Sequence, residues 1–116
     1  MSIDNPHSSR PPPPLVAPVL HHGVRYEQDM QSWRFGGTQP GGYLVAIDAA
    51  SGARLWMLRV YEVTLHEVHG VTTPGRYFRS LALVPGRDEL EIENEAGARY
   101  RVDLERRAAS WLSGPG

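Results

Sequence analysis

From Leu15 onward, apolar and polar residues alternate with a period of two over most of the chain, and glycine-bearing stretches interrupt the alternation at short intervals. That pattern predicts short strands joined by tight turns. Val16, Val19 and Leu20 lead into a turn at His21-His22-Gly23, where the glycine supplies the permissive backbone. Residues 24–30 read as the next strand, with Val24 and Tyr26 set against Arg25 and Glu27. The stretch Trp33-Arg34-Phe35-Gly36-Gly37-Thr38-Gln39-Pro40-Gly41-Gly42 fits no period and predicts a loop that opens on two large aromatics. Residues 43–48 form a dense strand and residues 49–52 a turn. Residues 54–65 carry apolar side chains on both faces, which predicts a central strand and the best-buried element.

The second half alternates more cleanly. A loop over residues 66–76 leads to a strand at 77–84 and a strong turn at Pro85-Gly86-Arg87-Asp88. Leu90 and Ile92 then oppose Glu89, Glu91 and Glu93, and Tyr100, Val102 and Leu104 oppose Arg99, Arg101 and Asp103. A loop of Glu95-Ala96-Gly97, with Gly97 left-handed, pairs Asn94 with Ala98 and predicts the register Glu93 to Arg99, Glu91 to Arg101 and Ile92 to Tyr100. A one-residue slip sets glutamates against apolar partners. Each charge pair contributes only about 0.2–1 kcal/mol, so the ladder selects register and otherwise forms a solvated face. Residues 106–116 predict a short strand or turn that docks Trp111. No window carries useful helical periodicity. The predicted fold is all-β: a small antiparallel meander of about seven or eight strands, as a barrel or a two-sheet sandwich. The alternative is two blade-like sheets side by side, with edges that need capping or a second copy.

Residues 1–14 contain Pro11-Pro12-Pro13-Pro14 among polar residues, which predicts a disordered or polyproline II tail ahead of one domain at 15–116. The chain has 116 residues, 12 basic against 13 acidic side chains and a net charge of -1, so no overall field favours nucleic acid or an anionic membrane. The absence of cysteine excludes disulfides, thiolate metal sites and cysteine nucleophiles, and together with the polar start of the chain it predicts a cytoplasmic protein.

The chain contains an internal repeat. Asp48 to Trp56 spans eight positions, as does Asp103 to Trp111; at the same offset of 55, Gly42 matches Gly97 and Ile47 matches Val102. Gly23 precedes one predicted strand as Gly86 precedes another, and the first copy holds eight extra residues, which fall in the Trp33 loop. Two similar meander units follow, at about 15–65 and 77–112. The first copy, Ala46-x-Asp48-x-x-Ser51-Gly52-x-x-x-Trp56, resembles the tryptophan-docking motif of quinoprotein-type (pyrroloquinoline quinone dehydrogenase-like) β-propeller blades, with Ser51 where that family usually has threonine. The resemblance implies that Trp56 packs across a neighbouring unit while Asp48 and Ser51 tie the turn. The second copy keeps Asp103 and Trp111, with Arg107 in the place of Gly52. A closed propeller takes at least four blades and this chain has material for two, so neither the cofactor nor the dehydrogenase activity carries over. No cofactor is expected.

Two groups of residues are candidates for function. Trp33, Arg34, Phe35 and Gln39 suit a recognition surface, because aromatics give a large contact area and arginine stacks or forks onto a carboxylate; alternatively, Trp33 and Phe35 fold back over the open end of a sheet. His21, His22, His66 and His69 offer four imidazoles if their two loops meet. No serine sits in a nucleophile elbow. Asp48, Gly52, Trp56, Asp103 and Trp111 are expected to be structural. The expected function is a non-enzymatic interaction or scaffold module of bacterial type, binding an unknown protein partner or itself through the aromatic loop and strand edges. The alternative is a small-molecule or metal binder that uses the loop histidines.

Overall fold

The computed structural model describes residues 15–63 and 76–115. The expected tail at 1–14, and His66 and His69, lie outside the described residues. Eight strands follow in order: β1 Val19–His21, β2 Val24–Gln28, β3 Tyr43–Asp48, β4 Arg54–Arg59, β5 Phe78–Leu83, β6 Glu89–Asn94, β7 Arg99–Asp103 and β8 Ala108–Ser113. They form two four-stranded antiparallel meanders, β1-β2-β3-β4 and β5-β6-β7-β8. Among the described residues no helix is long and apolar enough to cross a membrane.

The β6–β7 hairpin has the register that the charge alternation demands: Glu93 opposite Arg99, Glu91 opposite Arg101 and Ile92 opposite Tyr100. Asn94 N–H donates to Ala98 O at 2.9 Å, and Gly97 adopts a φ of 90°. The charges meet diagonally as well as directly, with Arg101 reaching both Glu89 and Glu91 and Arg99 reaching both Glu91 and Glu93. On the opposite face Leu90, Ile92 and Val102 are fully buried.

That apolar face shares one core with the first sheet, which contributes Tyr26, Leu44 and Ala46. Tyr61 joins the two: it stacks on Tyr100 at 5.0 Å and lies 6.1 Å from Phe78. Burial raises the Tyr61 hydroxyl far above the usual phenol range, and it donates to Arg76 O at 3.1 Å. Gln28 links the sheets through its side chain, Oε1 accepting from Phe78 N–H at 2.7 Å.

The two repeat turns are built alike. Asp48 accepts from Ser51 N–H at 2.9 Å and Ser51 Oγ–H at 2.6 Å, and Gly52 has a φ of 78°. Asp103 accepts from Glu105 and Arg106 N–H, each at 3.0 Å, and Arg107 takes a φ of 55° where the first copy has Gly52. Trp56 packs on the core with its ring 5.8 Å from Tyr26, and the Arg107 guanidinium lies 5.2 Å from its centre. Trp56 therefore touches both units.

Two expectations are corrected. Residues 54–65 are not the best-buried strand. β4 ends at Arg59, forms the edge of its sheet and leaves Leu55 half exposed, whereas five of the six residues of β3 are buried. β3 lies between β2 and β4, and the β2–β3 connection also hydrogen-bonds Tyr43 at its start, which strand periodicity does not reveal. Trp111 does not dock. It is 58% exposed, and its indole N–H donates to Gly114 O at 3.1 Å. β8 is an edge strand of its sheet, and among the described residues no second unit packs over Trp111 as Arg107 does over Trp56.

Candidate recognition site

The site is the connection between β2 and β3, built from Asp29 upward. Asp29 N–H donates to Tyr43 O at 2.9 Å, which holds the chain on the sheet for one residue past β2. Its carboxylate then turns back, with Oδ1 accepting from Gln31 N–H at 3.0 Å, as a short polar side chain does at the start of a turn. Ser32–Phe35 form a single 3-10 turn closed by Arg34 N–H to Gln31 O at 2.9 Å. Gly36, with a φ of 91°, ends it, and Gly37 N–H donates to Ser32 O at 2.8 Å. A side chain at Gly37 would place Cβ 2.8 Å from that same oxygen, so the second glycine of the pair is required by close backbone approach.

The Asp29 side chain is only 2% exposed and is neutralised by Arg54 of β4, with Arg54 Nη2 2.6 Å from Asp29 Oδ2. The same guanidinium lies 3.6 Å from the centre of the Phe35 ring. One arginine therefore holds both the root of the turn, through charge, and its last residue, through a cation–π contact. Beyond the turn, Thr38 N–H donates to the Tyr43 hydroxyl at 2.8 Å; burial pushes the pKa of this phenol up, but hydrogen bonds from Thr38 and Gln39 and the charge of Arg59 together outweigh it and lower the pKa from its ordinary value.

The exposed side of this braced turn is apolar and aromatic. Trp33 is 74% exposed, Met30 48% and Phe35 47%. Beside Trp33 lies a cleft of about 310 Å³ lined by Gln28, Asp29, Trp33, Pro40, Arg76 and Tyr77 among others. On the other flank a concavity of about 440 Å³ runs past Met30, Gln31, Val45 and Ile47 to Arg54. Arg34 is exposed, with its guanidinium 6.0 Å from the Trp33 ring centre.

The four residues expected here divide into two roles. Trp33 and Arg34 present surface; of the two aromatics expected alternatively to cover the sheet, Trp33 is largely exposed while Phe35 is half exposed and lies against Arg54 of β4. Gln39 is committed to the scaffold: its Nε2 donates to Gly41 O and Tyr61 O, each at 2.7 Å, and its Oε1 accepts from Val63 N–H at 3.1 Å. Sequence reasoning missed Asp29 and Arg54, which lie 25 positions apart, one just past the end of β2 and the other at the start of β4, and carry no local motif. It also missed Asp88, whose carboxylate stands against the His21-His22 turn from the other sheet. A hydrogen bond from His21 holds the Asp88 carboxyl below the usual carboxylate range.

The chain matches no protein-family model, and comparison with curated proteins and with solved structures likewise finds no match.

Proposed function

We propose that this chain is a non-enzymatic recognition module that binds a protein partner through the aromatic face of the β2–β3 connection. The edges of the two sheets that are unpaired among the described residues supply the adjoining surface. The observation that carries the reading is Trp33, three-quarters exposed on a turn fixed from behind by the buried Asp29 and by Arg54. A large aromatic held in place before binding loses little freedom on association, and such residues dominate the energetics of interfaces. Arg34 beside it offers a planar fork for a carboxylate of the partner. The two four-stranded meanders, each with its Asp-to-Trp hairpin, support a pair of blade-like units whose outer edges a partner or a second copy completes. A cytoplasmic setting is part of the proposal and rests on the cysteine-free composition.

The test compares wild type, Trp33→Ala and Trp111→Ala as baits in quantitative affinity capture, followed by a measured Kd for any partner that depends on Trp33. A hot-spot tryptophan predicts a loss of at least about thirtyfold in affinity for Trp33→Ala, with Trp111→Ala close to wild type. Equal capture by Trp33→Ala and wild type would contradict the proposal.

A further inference from the structure

The β1–β2 turn of one sheet and the β5–β6 turn of the other bring two imidazoles and a carboxylate to one point. His21 Nε2 lies 2.6 Å from Asp88 Oδ1, and His22 Nε2 lies 3.6 Å from the same oxygen. One ligand atom from each of the three residues lies within 4.8 Å of the others. From this convergence we propose that His21, His22 and Asp88 form a binding site for a divalent transition-metal ion that bridges the two sheets.

A hydrogen bond between His21 and Asp88 explains only part of the arrangement. His22 also stands close to the pair: the two-residue His22-Gly23 hairpin turn, with φ of 50° and 75°, sets its ring centre 4.0 Å from that of His21 while leaving its side chain exposed. At 3.6 Å its Nε2 is beyond hydrogen-bond distance of the carboxylate and within ion-pair range, so it approaches the same oxygen without a directional bond to it. A metal ion supplies that bond, replacing the shared proton and accepting all three donors. Tetrahedral ligands at ~2.0–2.1 Å from zinc stand ~3.3 Å from one another. The His21–Asp88 contact therefore opens by roughly 0.7 Å while the wider separations close. His22 and Asp88 are exposed enough to make that adjustment, and His21 is largely buried and anchors the site.

The backbone behind each ligand is pinned. Ala49 N–H donates to Gly23 O at 3.0 Å behind the histidine turn, and Leu104 N–H donates to Asp88 O at 3.0 Å behind the other. Two nitrogens and one oxygen form a borderline donor set, which suits zinc, copper, nickel or cobalt; calcium and magnesium require more oxygen ligands. Three protein ligands leave a fourth position to water. Because the ligands come from different sheets, bound metal cross-links them.

The probe is zinc chloride, titrated by calorimetry into tag-free full-length protein, with thermal unfolding measured alongside. The site predicts 1:1 binding and a rise in Tm of about 4 °C or more at saturation, reversed by a chelator. Loss of a second-shell partner alone costs about 10–100-fold in metal affinity, so His22→Ala and Asp88→Asn each lose at least about tenfold. His22 is exposed, so His22→Ala keeps the metal-free protein folded and the comparison clean. A His66→Ala/His69→Ala variant binds zinc as wild type does. Zinc binding that survives both His22→Ala and Asp88→Asn, or that disappears with His66→Ala/His69→Ala, overturns the proposal. So does the absence of any binding below millimolar zinc.

Discussion

Replacing Asp29 by alanine tests whether the Trp33 turn is held by the pair beneath it. The substitution removes the partner of Arg54 at 2.6 Å and the acceptor of Gln31 N–H at 3.0 Å. A charge-assisted hydrogen bond to a nearly buried carboxylate is worth about 1.5–3 kcal/mol, and the local turn bond from Gln31 N–H adds ~1 kcal/mol. The expected loss is about 3 kcal/mol, at the lower end of the 3–5 kcal/mol range of fully buried pairs because the liberated Arg54 can reach water. With a urea m-value of about 1.5 kcal/mol/M, the unfolding midpoint falls by about 2 M. Asp29→Asn keeps the shape and the Gln31 bond, and should lose less than half of that. Arg54 also stacks on Phe35, so a double-mutant cycle of Asp29→Ala with Arg54→Ala isolates the pair. Urea unfolding followed by circular dichroism should give a coupling energy of at least about 1.5 kcal/mol. A midpoint shift under about 0.5 M, with coupling near the value of an exposed ion pair, would refute the claim that this contact organises the turn.

Other substitutions probe the repeat and the core. Trp56→Ala should destabilise by about 2–3 kcal/mol, because Trp56 packs on the core and under Arg107; Trp111→Ala, at the matched position, should stay within about 0.5 kcal/mol. Denaturant midpoints for the two variants check this directly, and equal losses would contradict the asymmetry of the two copies. Asp48 has a pKa lowered below 3.8 by hydrogen bonds from Ser51, so it binds its proton less readily in the folded state than in the unfolded chain. Its contribution is therefore fully present above about pH 4 and is lost as pH falls through the lowered folded-state value. Stability measured from pH 5 to pH 2 should fall less steeply for Asp48→Asn than for wild type, and parallel curves would exclude the linkage. Gly97→Ala should cost about 1–2 kcal/mol through backbone strain alone, since a Cβ there meets no atom within 4 Å; thermal denaturation measures it.

What was legible in the chain was what neighbouring residues decide among themselves. Glutamates facing arginines across a three-residue loop left one workable register for β6 and β7, and that register is present. The matched aspartates at 48 and 103 predicted two hairpins of one design. What strands do to one another over long separations was not legible. Arg54 and Asp29 look like ordinary polar residues until β4 and the end of β2 lie in one sheet. Asp88 reads only as a turn residue, and the His21-His22 turn that it meets lies 67 positions away. β4 carries four apolar residues of six, close to the five of six in β3, so β4 looked central although it is an edge. Trp111 looked like Trp56 because the motif records a tryptophan and not what lies beyond it.

The central claim is that recognition occurs at Trp33, and photo-crosslinking with p-benzoylphenylalanine in place of Trp33, compared with the same probe at Trp111, tests it most directly. In cells expressing the protein, the probe at 33 should yield a discrete adduct that disappears with Asp29→Ala, because the turn then no longer presents it. Adducts from 111 and none from 33 would contradict the account.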